Sequence, residues 1–208
     1  MFNRTQYFVP FLFVLSLVLT GASHAALDPN LVGWWPLNDG EGSVAKEASG
    51  RGVDGTLNGG PVWSAEGVHG GSLEFDGVDD YVFIDGQYNL PVYTITIWFR
   101  FDGGTGSQDL VSAYAVGVQH GILLELGGDG RLRYLHRFPL GTGGGSNFYT
   151  TRTFNQVDGS WNHAAMVKSA NEITLYINGE NVGSAPDNSV FDPTDAFGIA
   201  LGTLDNER

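Results

Sequence analysis

Gly71-Ser-Leu-Glu-Phe-Asp-Gly-Val-Asp-Asp-Tyr-Val-Phe-Ile84 is the stretch whose reading decides the fold. Two short alternating runs flank an acidic turn. Leu73 and Phe75 point to one side, and Tyr81 and Phe83 do the same after the turn. Asp76-Gly77 and Asp79-Asp80 supply turn chemistry, because Gly tolerates left-handed backbone and Asp bonds its own main chain. The pattern predicts a hairpin of two aromatic-rich strands, which belongs in a β-sandwich and not in a helical protein.

Outward from this segment the same period recurs. Residues 93–101 alternate strictly, with Tyr93, Ile95, Ile97, Phe99 and Phe101 on one face and Thr94, Thr96, Trp98 and Arg100 on the other. Period two over nine residues predicts a half-buried strand. Residues 122–126 and 131–138 flank Gly127-Gly-Asp-Gly130 and predict a hairpin. Residues 172–177 and 180–185 flank Asn178-Gly179, the pair that fills both positive-φ positions of a type I′ turn. Further strands are expected at 31–37, 62–63, 110–116, 147–154, 161–168 and 197–201. In 161–168, Trp161, His163, Ala165 and Val167 share a side. Residues 43–60 and 141–145 read as loops. No segment after the first 25 residues has a helical period. The fold class is all-β, an antiparallel two-sheet sandwich or jelly roll.

The first 25 residues are set apart. Arg4 precedes an apolar run over 7–19, and Ser23-His-Ala25 offers small residues at a cleavage position. Residues 1–25 are expected to be a secretory signal, the run being short for a membrane span of about 20 residues; a short membrane anchor is the competing reading. Residues 26–208 then form one domain, secreted to an extracellular or periplasmic space, with no membrane insertion after cleavage. The 208 residues contain no cysteine, so disulfides, zinc–thiolate sites and a cysteine nucleophile are excluded. A formal charge of −13 repels a phosphate backbone and argues against nucleic acid as a partner. The 31 glycines are scattered, which excludes collagen and fits many turns.

Five segments in order carry a family resemblance. They are Leu31-Val-Gly-Trp-Trp-Pro-Leu-Asn-Asp-Gly-Glu-Gly42, Glu47-Ala-Ser-Gly-Arg-Gly-Val-Asp-Gly-Thr-Leu57, the 71–84 signature, the strand around Trp98, and Trp161-Asn-His through Asn178-Gly179. Together they resemble the laminin-G-like jelly rolls of the concanavalin A-like lectin/glucanase superfamily. Family members usually have Asp where this chain has Glu47. They also close with a strand that this chain does not contain before Arg208, so the resemblance implies a domain lacking its closing strand.

Catalytic residues are not assigned. The superfamily includes glycosidases and lyases, yet no Glu-x-Asp-x-x-Glu run and no Arg, Gln-x-His and Tyr set is present. The Gln119-His120 pair lies beside a turn. Glu125 and Asp129 are the nearest acidic pair, and Asp129 falls in a turn. For a metal, Asp76, Asp79 and Asp80 share one turn and Asn38, Asp39 and Glu41 another. Such oxygen donors suit Ca2+, which the resemblance also implies; plain Asx-turns are the alternative. For a ligand, Trp98 lies opposite the core face of its strand, and Arg100, Glu125, Arg133 and Tyr176 are expected to share a face with it. An aromatic there either stacks on a sugar ring or fills a groove. His163, Trp34, Trp35 and Trp161 read as inward residues. The expectation is a non-catalytic module for glycan or polysaccharide. A cell-surface or matrix protein as partner is the first alternative, and a glycosidase or lyase the second.

Overall fold

The computed structural model describes residues 27–103, 106–114, 120–139, 145–154, 159–192, 194 and 197–203. The leader expected over residues 1–25, Gln119 and all but Gly145 of the loop at 141–145 lie outside the described residues. The strands are β1 (Val44–Ala45), β2 (Gly55–Asn58), β3 (Val62–Ser64), β4 (Ser72–Glu74), β5 (Tyr81–Ile84), β6 (Tyr93–Phe99), β7 (Gln108–Tyr114), β8 (His120–Leu126), β9 (Arg131–His136), β10 (Ser146–Thr153), β11 (Asn162–Lys168), β12 (Glu172–Ile177), β13 (Glu180–Pro186) and β14 (Gly198–Leu201). No helix occurs among the described residues, and none is long and apolar enough to cross a membrane.

Eight strands form one sheet in the order β1-β2-β5-β14-β7-β8-β9-β10, four form a second in the order β13-β12-β11-β6, and β3 pairs with β4. The ladders are antiparallel, as the all-β reading requires. Alternation places the core between the two large sheets. Val82, Ile84, Val111, Ile122, Leu124 and Leu132 face Phe99, Ala164, Met166, Ile173, Leu175 and Ile177 in one cluster. At one margin the sheets nearly touch. A Cβ on Gly183 of β13 would lie 2.6 Å from Cε2 of Phe148 on β10, so only glycine admits that ring. The Asn178-Gly179 turn has φ values of 52° and 84°, as read from the sequence.

Three expectations are corrected. The 71–84 segment is not a hairpin: β4 pairs with β3, while β5 joins β2 and β14 in the large sheet. Its turn carries the chain from one sheet to another, with Asp76 N donating to Asp80 Oδ2 at 2.9 Å and Val78 N to Asp76 Oδ1 at 2.8 Å. The inward residues of β5 are Val82 and Ile84, and Tyr81 and Phe83 share its other face. Residues 31–37 form no strand. The main chain of Trp34 is pinned sideways instead, its N–H donating to Glu47 Oε1 and its carbonyl accepting from Ala48 N, and Leu37 turns to a φ of 53°. Residues 43–60 are not all loop, because β1 and β2 lie within them. Gly55 permits this: a Cβ there would meet Val82 Cγ1 at 2.7 Å, so a glycine-rich stretch is what lets β2 lie against β5.

The tryptophans follow from this. Trp34 is 49% exposed and is not core. Trp35 is half-buried against the core, with Nε1 donating to the Val53 carbonyl at 2.9 Å. Trp161 is half-buried beneath the Arg100 guanidinium, 5.4 Å from its ring.

Two polar devices hold the sandwich. Glu47 gathers the N-terminal segment: its carboxylate accepts from the main-chain N–H of Trp34, Ser49, Gly50 and Arg51. Partial burial pushes its pKa up, but the hydrogen bonds from Ser49, Trp34 and Gly50 outweigh that and bring it to about 2. Between the sheets, Lys168 and Asp187 are sealed, with side chains 0% and 1% exposed and Nζ 3.7 Å from Oδ1. Lys168 Nζ also donates to the carbonyls of Ser169 and Asp187. Burial pushes Asp187 up, but the Ser189 hydroxyl and N–H and the charges of His136 and Lys168 hold it below the usual range. From the large sheet, Tyr134 OH donates to Tyr93 OH at 3.2 Å, leaving the Tyr93 proton for His136 Nδ1 at 3.0 Å. Burial lowers His136 to about 4; Asp187 opposes this and Lys168 adds to it.

Removing the Glu47 carboxylate leaves four main-chain donors without it. Glu47→Ala is expected to cost about 2 kcal/mol in chemical denaturation, the scale of charged hydrogen bonds lost; a loss under about 0.5 kcal/mol means that water replaces the carboxylate. His136 binds its proton less readily when folded than unfolded, so its contribution is intact above pH 6.5 and is lost as pH falls from 6.5 to about 4. The melting temperature should fall through that window, and less steeply in His136→Gln.

Candidate functional site

The outer face of the four-stranded sheet is built by register. Trp98 on β6 stands opposite His163 on β11. One step along, Thr96, Ala165, Tyr176 and Asn181 form a row across all four strands. Trp98 is 43% exposed. The His163 ring lies 5.0 Å from it, tilted by 54°, and His69 meets it edge-on at 6.4 Å. The indole is thus an exposed apolar plate held between two imidazoles, with small and hydroxylated side chains beside it. Arg100, just past β6, closes one end. Its Nε and Nη2 donate to Asp102 Oδ2 at 2.9 and 2.7 Å, and Nη1 reaches Glu66 Oε2 at 3.4 Å.

His163 corrects the sequence reading. It faces outward with Trp98, because the inward residues of β11 are Ala164, Met166 and Lys168. Both faces of 161–168 offer apolar side chains, so periodicity alone does not choose between them. The buried Asp187 chooses, by accepting Lys168.

Glu125 and Arg133 do not share the Trp98 face. They oppose one another on β8 and β9 of the eight-stranded sheet, pointing away from the core that Leu124 and Leu132 enter. Asp109, Glu125, Arg133 and Tyr149 form one row on that outer face. Arg133 Nε donates to Asn147 Oδ1 at 2.8 Å, and its guanidinium lies 5.7 Å from the Tyr149 ring centre. The five expected ligand residues therefore fall on two opposite faces: Trp98, Arg100 and Tyr176 on one, Glu125 and Arg133 on the other. The sequence reading assigns no part to His69, Asn147 or Tyr149, and it reads His163 as inward. Only strand register, which no local pattern contains, brings His163 to Trp98 and Tyr149 to Arg133. Asp129 is held by Arg131, with Oδ2 2.7 Å from Nη2.

The acidic turn does assemble. One carboxylate oxygen from each of Asp76, Asp79 and Asp80 lies within 4.8 Å of the others, and among the described residues no other such group occurs. This cluster can hold a metal ion. Asp39 does not join it: its Oδ2 accepts Lys46 N at 3.1 Å, and Asn38 packs beside Gly71. A cleft of about 400 Å3, lined by Ser146, Asn171, Asp187 and Ser189 among others, opens where β10 meets β13. Its carboxylate is the one already committed to Lys168 and Ser189.

A sequence model of the concanavalin A-like lectin/glucanases superfamily matches residues 76–207. No curated protein matches the chain. Among solved structures, the binding domain of Paraclostridial Mosquitocidal Protein 1 is similar with a TM-score of 0.61 at 18% identity, over 80% of this chain and 44% of that one. A Trypanosoma rangeli sialidase in complex with sialic acid is similar with a TM-score of 0.63 at 17% identity, over 89% of this chain and 29% of that one. An S-layer domain-containing protein from Clostridium thermocellum is 29% identical over 77% of this chain and 74% of that one, with a TM-score of 0.46. The chain spans less than half the length of the first two, and their likeness to it is one of fold.

Proposed function

The chain belongs to the concanavalin A-like lectin/glucanases superfamily, and from that premise we propose that it is a secreted, non-catalytic module that binds carbohydrate through the Trp98 face. One observation carries the reading: an indole 43% exposed on a regular sheet face, braced by the rings of His163 and His69. The C–H face of a pyranose is apolar and stacks on such a plate, while its hydroxyls need polar groups at the margin. Tyr176, Thr96 and Asn181 supply those groups on rigid strands. Arg100 is committed to Asp102 and Glu66 and serves as a wall of the site. The similar fold of a sialidase crystallised with sialic acid is consistent with saccharide as the ligand class. The carboxylates at the margin of the face, Asp102 and Glu66, are both engaged by Arg100, which favours binding over hydrolysis. The leader expected from the sequence of residues 1–25 supports secretion.

Calcium is the proposed ion for the 76–80 turn. Three carboxylates converging in one turn suit a hard cation that takes six to eight oxygens. The turn precedes β5 in the eight-stranded sheet, so the ion would clamp the crossing between sheets.

A glycan array with the full chain tests the first proposal. Trp98→Ala is expected to weaken the strongest carbohydrate hit about tenfold or more, a loss of about 1.4 kcal/mol or more, with the melting curve unchanged. Full binding by Trp98→Ala overturns the assignment of the face, and an array without any hit overturns the ligand class. For the ion, calcium should raise the melting temperature, since a ligand bound only by the native state stabilises it, and Asp79→Ala should abolish the rise. Equal melting in calcium and in chelator reduces the turn to its Asx bonds.

A further inference from the structure

The opposite face of the sandwich carries a second chemistry. Arg131 and Arg133 alternate outward along β9; Leu135, next in that phase, is buried, and Arg137 follows just beyond the strand. This is a concentration of cations in a chain with ten Lys and Arg against 23 Asp and Glu. Their states differ. Arg131 is held by Asp129, with Nε and Nη2 each 2.7 Å from Oδ2. Arg133 is oriented but not neutralised. Its Nε donates to Asn147 and its plane rests by Tyr149, yet among the described residues it forms no ion pair. Glu125 stands directly across the ladder and does not come within ion-pair distance. Holding Nε from one side leaves the two terminal nitrogens as a fork turned away from Asn147, the geometry that takes a carboxylate through two parallel hydrogen bonds. Arg137 lies close enough to feel Arg133: burial lowers its pKa, and the charge of Arg133 lowers it further.

We propose that this face binds a carboxylated saccharide, with the Arg133 fork on the sugar carboxylate and Glu125 and Asn147 on its hydroxyls. Tyr149 is a positioning residue. Arg131 lies 5.1 Å and Arg133 5.7 Å from its ring centre, so the ring fixes the guanidinium plane rather than stacking on ligand. An acid of the same row limits the ligand's charge. Glu125 repels a dense polyanion, whereas a single carboxylate among hydroxyls satisfies both the fork and its acidic neighbour. The ligand class rests on the carbohydrate reading, but the site shares no residue with the Trp98 face.

The test compares matched pairs on the full chain by calorimetry: oligogalacturonate with its carboxyl-reduced form, and sialyllactose with lactose. The acidic member of at least one pair should bind about tenfold or more tightly, and more weakly in high salt. Arg133→Gln should remove that preference, with Arg133→Lys keeping part of it. Tyr149→Phe, which retains the ring, should keep the preference that Tyr149→Ala loses. Circular dichroism and melting curves confirm that each variant folds. Equal binding of acidic and neutral members, or a preference that survives Arg133→Gln, overturns the inference. Neutral binding lost only in Trp98→Ala leaves the Trp98 proposal standing while this one falls; acidic binding that depends on Arg133 and ignores Trp98→Ala does the reverse.

Discussion

The ion pair between Lys168 and Asp187 sets the phase of the four-stranded sheet. A lysine ammonium sealed between two sheets is costly unless a buried acceptor meets it. Here Asp187 does so, held in turn by Ser189, and two carbonyls complete the coordination. Lys168 can therefore point only inward. A strand has period two, so this places Ala164 and Met166 in the core and His163, Ala165 and Val167 outside. A slip of one residue would bury His163 and strip Trp98 of its neighbour. The exposed platform is thus a consequence of a buried charge about five residues along the same strand.

That dependence explains what a reader of the sequence can and cannot see. Alternation in 93–101 and the Asn178-Gly179 turn state their structure locally, because the cause, a half-buried face or a positive φ, lies within the segment. The β8–β9 hairpin is legible for the same reason. The 71–84 stretch has equally clear turn chemistry, and its turn bonds form as read. Which strands it connects is another matter: β4 finds β3 and β5 finds β2, partners whose own sequences are short, polar or glycine-rich. Gly55 is the sharpest case. As a residue type it argues loop, and its missing Cβ is what allows β2 to approach Val82. Residues 31–37 fail in the opposite direction. They look like a strand and are instead held by Glu47, whose role as a cap for four N–H groups has no periodic signature.

The candidate residues show the same division. Alternation within one strand places Trp98 outward, where the structure has it. Grouping it with Arg133 required knowing which sheet each strand joins, and the two prove to lie on opposite faces. What the sequence does contain is the raw chemistry: an aromatic, several cations and acids on alternating strands. Register then sorts it into an aromatic plate with imidazoles on one side and a charged row on the other.

The two faces differ in how they are stiffened, and that difference bears on what each can recognise. Trp98 is braced by ring contacts, which constrain a plate without specifying a direction for hydrogen bonds. Such a surface accepts many sugars whose apolar face fits. Arg133 is braced through Nε and through its plane, which together fix where its remaining donors point. Preorganised donors discriminate, since a ligand lacking the matching group leaves them unpaired. A sandwich with both would combine a permissive contact with a selective one on a single rigid body. The polar link between the sheets, from Tyr134 through Tyr93 to His136, keeps the two faces in fixed relation.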